Sequence, residues 1–312
     1  MRNWRQWSGL VWQEAWTRHV GLPCTETMSA VLFGLLTAVC WGGADFMARF
    51  TGRAVGPDVA LSGMLVASAV LLTVLVLATS APLIESSAGW YLIVATGIGV
   101  MAATLLLYAG LARGPIGMVA PIVGAYPAFN ILIGLAFGIV PTGPQWIAIL
   151  TVMAGVAVVA RYAPEPGEDV TGDLRLTLVL ALLSALAFAL TISAGQAAAR
   201  LHGELPVTAA ARWVSVVAAF GYLLVRRRPV VVPAGWRWPV AAQGTLDGLA
   251  YLALFAAAHG PGSVIAAVVA SSFAAVTVLL ARFVLKEPMS LAQWAGIAMI
   301  VSGVGALSAL RA

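Results

Sequence analysis

The chain has 312 residues, 61% of them apolar and only 9% charged, against about 25% charged in a typical soluble domain. Seventeen basic and 12 acidic residues cannot supply the polar surface that a soluble fold of this length needs. Soluble enzymes, disulfide scaffolds and disordered regulators are therefore excluded. The net charge of +5 comes from arginines in short connections between apolar segments, not from a basic patch interleaved with aromatics. That pattern names a lipid bilayer as partner and not nucleic acid.

Taken in chain order, residues 1–27 read as an extension. They carry Trp4, Trp7, Trp12 and Trp16 but lack the apolar run of a signal peptide. An interfacial helix and a true start at Met28 both fit this segment. Beyond it, apolar runs near the roughly 20 residues of a membrane-crossing helix predict ten spans. The first five are 30–48, 59–78, 91–112, 116–139 and 145–162, within a first repeat over 28–162. An acidic Pro/Gly linker over 163–173 follows. The second five are 174–199, 207–225, 238–258, 263–285 and 291–310, within a second repeat over 174–312. The runs are apolar on all sides, which excludes the alternating pattern of a transmembrane β-barrel.

The halves align at a nearly constant offset. Cys40-Trp41-Gly42 falls on Ala187-Phe188-Ala189, Arg53 and Gly56 on Arg200 and Gly203, and Gly114 on Gly260. Gln145-Trp146 with Gly155 returns as Gln293-Trp294 with Gly303. Five spans per half is an odd number, so the second half is inverted relative to the first. The fold class is all-α integral membrane, ten transmembrane helices as two inverted five-helix repeats. That architecture suits a secondary transporter with its substrate site near the midplane.

Trp41-Gly42 with Ala44-Asp45-Phe46, Ala211-Arg212-Trp213, and the stretch from Leu279 to Ser302 resemble the EamA-type ten-helix transporters of the drug/metabolite transporter superfamily. The resemblance covers nearly the whole chain. It implies a carrier of small molecules, usually an exporter, and a glutamate between the last two helices, here Glu287. Pro141 stands where a matching first-half acid would lie, and Ser271-Ser272 where proline is common. Orientation is read two ways. Eleven basic residues on one side against five on the other put the odd-numbered connections in the cytoplasm and the termini outside. The resemblance implies the reverse.

An ionisable side chain at mid-span costs about 2.5–3.5 kcal/mol on insertion scales, so each one calls for a reason. Asp247 lies near the centre of span eight, with Gln243 and Tyr251 one turn either side. It is the proton-coupling candidate, set against a structural hydrogen bond to a neighbouring helix. Asp45 shares a face with Trp41 and Arg49. It reads either as a local ion pair with Arg49 or as a cation or proton site walled by Trp41. Arg212 either snorkels to the interface or pairs with Asp247 or a substrate. Pro121, Gly124, Tyr126, Pro127 and Asn130 predict a kinked or unwound span four, because each proline removes a backbone donor. Span nine offers Ser271 and Ser272 in the equivalent stretch. Gln196, Tyr108 and Phe188 are weaker cavity candidates.

The sequence carries no catalytic constellation, phosphate loop, cofactor motif or metal-ligand spacing. The expected function is therefore secondary transport of a small amphipathic metabolite, amino acid or drug by alternating access, either proton-coupled or facilitative. The protein would sit in the cell membrane as a monomer or homodimer. The rival is an intramembrane enzyme or lipid-handling protein using Asp247 and Arg212.

Overall fold

The computed structural model describes residues 24–81, 84, 87–136, 142–162, 173–228, 231–257, 266–267, 269–286 and 289–309. Pro141, His259, Glu287, most of the linker and most of the N-terminal extension lie outside them. The first half builds α1 (Cys24–Val55), α2 (Pro57–Thr79), α3 (Trp90–Arg113), α4 (Ile116–Gly124), α5 (Tyr126–Ala136) and α6 (Gly143–Arg161). The second builds α7 (Leu174–His202), α8 (Glu204–Val225), α9 (Arg237–Ala256), α10 (Phe273–Val284) and α11 (Leu291–Ala309), with a short 3₁₀ turn before α9. Among the described residues, five helices are long and apolar enough to cross a membrane, and four shorter apolar helices accompany them.

Two features matter for the site, the first a departure from the sequence reading and the second the disturbed span four that its prolines predict. Span one does not end near residue 48. It continues to Val55, so Arg49 and Arg53 lie on the helix and not in a connection. Span four is broken in two. Pro127 has no N–H to continue the ladder, and the chain restarts at Tyr126 after Ala125. Residues 271 and 272, the repeat mates of Gly124 and Ala125, form a turn just before α10. The two halves therefore interrupt their fourth helix at the same place.

Contacts between the halves come in exchange-related pairs. Helix α1 packs on α9, and its counterpart α7 packs on α3; α1 also packs on α10, as α7 does on α5. Two pairs of equivalent helices, α2 with α8 and α6 with α11, meet each other directly, and α6 and α11 run antiparallel. A Cβ added at Gly155 of α6 would stand 2.7 Å from the Gly296 carbonyl of α11, while one at Gly303 would stand 2.7 Å from Val152. Rising residue numbers on one helix thus meet falling numbers on the other. The glycines at positions 155 and 296 let these backbones approach closely, the usual device where helices pack without a hydrophobic drive. Antiparallel mates are the geometry an inverted repeat requires.

Candidate functional site

The site is built where the halves meet, around aromatic residues held in matching positions. Trp41 and Phe188 are related by an offset of 147, and so are Tyr126 and Phe273. All four line one buried cavity, together with Asp45, Thr104, Leu107 and Asp247. Each half contributes through three helices: α1, α3 and α5 on one side, α7, α9 and α10 on the other. The Trp41 ring meets Tyr251 edge-on at 4.9 Å, Phe273 at 5.7 Å and Phe188 at 6.2 Å between centroids. Such edge contacts are the favoured arrangement of aromatic quadrupoles. In this conformation the cavity has about 10 Å³ of free space, room for about one water.

The charges do not share the symmetry of the aromatic frame. The repeat mates of Asp45, Asp247 and Arg212 are Ile192, Val100 and Leu65. Arg212, buried on α8, places Nη2 2.6 Å from Asp247 Oδ2 on α9. Its guanidinium also lies over the Tyr251 ring, 4.3 Å from the centroid. Trp41 stands beside Asp247 in the same cavity wall. Arg212 therefore turns inward and does not snorkel. Its neighbour Trp213 takes the half-exposed face and donates to Thr73 at 2.9 Å.

Asp45 is the other buried carboxylate, 6% exposed. The local ion pair with Arg49 expected from their spacing does not form. Arg49 instead donates to the Gly114 carbonyl at the end of α3, 3.4 Å away. Among the described residues Asp45 forms no ion pair, and the nearby charge it feels is that of Asp247. Thr104 stands across the cavity with its hydroxyl buried and without a hydrogen-bond partner.

Below the charges the cavity is plugged. Gln243, one turn from Asp247, donates to the Tyr108 hydroxyl and accepts from Thr51 Oγ1 at 3.0 Å. This chain ties α1, α3 and α9 together with no polar atom of the three side chains facing a void. On α5, Tyr126 donates to the Ala267 carbonyl at 2.5 Å, joining the two interrupted helices.

Of the residues singled out in the sequence, Trp41, Asp45, Tyr126 and Asp247 line the cavity. Arg212, Gln243 and Tyr251 pack directly behind them. Asn130 lies elsewhere, accepting from Ser193 at 3.2 Å, and Gln196 is half-buried away from the cavity wall. Ser271 and Ser272 line a separate, largely apolar cavity of about 280 Å³ with Pro121, Gly124 and Ile300. Thr104, Leu107 and Phe273 had no signal of their own. Phe273 was recoverable as the repeat mate of Tyr126.

No curated protein matches this sequence. One solved crystal structure superposes with a TM-score of 0.68 over 91% of this chain and 98% of its own, at 18% identity, a likeness of fold alone. The EamA-like transporter family matches twice, over residues 28–161 and 175–309. The two matches coincide with the halves whose helices pair antiparallel around the cavity, and the chain, a multi-pass integral membrane protein, belongs to the EamA-like transporter family.

Proposed function

We propose that this transporter carries a small amphipathic molecule outward by alternating access, with the cavity between the repeats as its binding site and a proton as counter-ion. The observation that carries the reading is the position of two buried carboxylates, Asp45 and Asp247, in an aromatic cavity shared equally by the halves. A scaffold has no need of an unpaired buried charge, which is costly unless something meets it.

The interrupted helices supply the moving parts. Gly124-Ala125 and Ser271-Ser272 are equivalent breaks, and each is flanked by a helix that packs on the opposite half. Bending at one break and then the other exposes the cavity first to one face and then to the other. Proton coupling involves the carboxylate couple as a unit. Asp247, Arg212, Tyr251, Tyr126 and Tyr108 surround it from α9, α8, α5 and α3. Arg212 already satisfies Asp247, so Asp45 is the group left to exchange a proton for substrate.

The test is a metabolite profile of cells and medium, comparing wild type with Asp247→Asn and Asp45→Asn at matched membrane expression. A few compounds appearing in the medium only with wild type is the expected result. If both variants export as wild type does, the carboxylates are structural and the coupling reading fails. If wild type moves nothing while lipid composition changes, the carrier reading itself fails.

A further inference from the structure

We infer that the cavity selects monovalent organic cations, with Asp45 as the counter-charge and the paired aromatic positions as the wall. The inference rests on the carrier reading and narrows it to a substrate class.

The argument is one of charge and surface. Two carboxylates and one guanidinium surround the site. The guanidinium is held at 2.6 Å by Asp247 and stacked over Tyr251, and it is not part of the cavity wall. That leaves one net negative charge, and it belongs to Asp45, which faces the space with no counter-ion among the described residues. The wall offers no basic side chain, and with Arg212 already taken up by Asp247 an anionic group entering the cavity would meet the uncompensated charge of Asp45. A zwitterion fares little better. Its ammonium would find Asp45, but its carboxylate would find only the Thr104 hydroxyl.

A cation is met on every side. Trp41, Phe188, Tyr126 and Phe273 present ring surfaces from both halves, and a desolvated cation over such a ring is attracted by its quadrupole. Because these four form two symmetry-related pairs, a cation keeps an aromatic neighbour whichever half has moved. Only the carboxylate is fixed to one half, on α1. Thr104 adds one unpartnered hydroxyl opposite, suited to a hydrogen-bonding amine or hydroxyl on the ligand.

The experiment uses the full-length protein in proteoliposomes and three probes that differ chiefly in charge: phenyltrimethylammonium, phenylalanine and phenylacetate. The quaternary probe is chosen because it cannot cross lipid in a neutral form. Counterflow and equilibrium binding of each are measured for wild type, for Asp45→Asn and for Phe188→Leu. The expected result is retention and movement of phenyltrimethylammonium alone. Its affinity falls roughly tenfold or more in Asp45→Asn and by a smaller factor in Phe188→Leu. Movement of phenylalanine or phenylacetate in preference to the quaternary probe overturns the cation assignment while leaving the carrier reading intact. Phenyltrimethylammonium binding that is unchanged by Asp45→Asn overturns the role of Asp45. Should Asp45→Asn fail to fold, the charge preference of the wild-type protein still decides the proposal. Absence of binding by the quaternary probe overturns it, and the metabolite profile separately judges transport.

Discussion

Arg212 Nη2 lies 2.6 Å from Asp247 Oδ2, joining neighbouring helices of the second repeat at the wall of a cavity shared with the first. Both side chains are buried, so neither charge has water to fall back on. Removing one partner strands the other, and a stranded buried charge costs about 3–5 kcal/mol. Arg212→Met and Asp247→Leu are each expected to lower the thermal transition of detergent-purified protein sharply. The double variant should recover most of the loss, because an apolar pair of similar volume is often neutral. A loss in the double variant equal to the sum of the two single losses would show that the pair is not coupled.

Gln243 carries two hydrogen bonds that tie three helices, to the Tyr108 hydroxyl and from Thr51. Replacing it by Leu leaves the Tyr108 hydroxyl buried without this partner, at about 1–3 kcal/mol, while Thr51 still reaches the Met47 and Ala48 carbonyls of its own helix. Gln243→Leu is expected to lower the melting temperature and speed hydrogen exchange in α1 and α9. Unchanged exchange would mean that the plug does not hold those helices.

Trp41 packs its ring against Tyr251, Phe273 and Phe188 in the cavity wall. Trp41→Phe keeps most of the apolar area and should cost little. Trp41→Ala should cost about 3–5 kcal/mol, through the space it leaves. Chemical denaturation of the two variants side by side checks that order, and equal losses would show that ring packing is not what Trp41 contributes.

Gly155 and Gly296 form the closest approach of α6 and α11, with 2.7 Å between an added Cβ and the facing carbonyl. No side chain fits without separating the helices. Gly155→Leu is expected to destabilise by about 1–3 kcal/mol through overpacking. Binding at the central cavity should be affected far less, since neither helix lines it. A large loss of substrate affinity at intact stability would instead link the α6–α11 pair to the site.

Much of this protein follows from sequence by itself, and the reasons are physical. Sixty-one per cent apolar residues with 9% charged leaves no soluble solution. A nearly constant offset near 147 between Trp41 and Phe188, or Arg53 and Arg200, requires a duplicated fold. Pro121 and Pro127 announced a disturbed fourth helix because proline carries no backbone donor. Asp247 stood out because a carboxylate in hydrocarbon is expensive.

Tertiary structure decided the partners. The spacing of Asp45 and Arg49 allowed a pair, but α3 ends beside Arg49 and its Gly114 carbonyl takes the guanidinium instead. Arg212 could have snorkelled, and only the packing of α8 beside α9 turns it inward. Thr104 and Leu107 reached the cavity without any mark in the sequence, and Phe273 with none beyond its place as the repeat mate of Tyr126. Helices apolar on every side give no periodicity that distinguishes the face towards lipid from the face towards protein. That distinction is made by the neighbouring helices, and with it which buried charge is paired and which, at Asp45, has no ion-pair partner among the described residues.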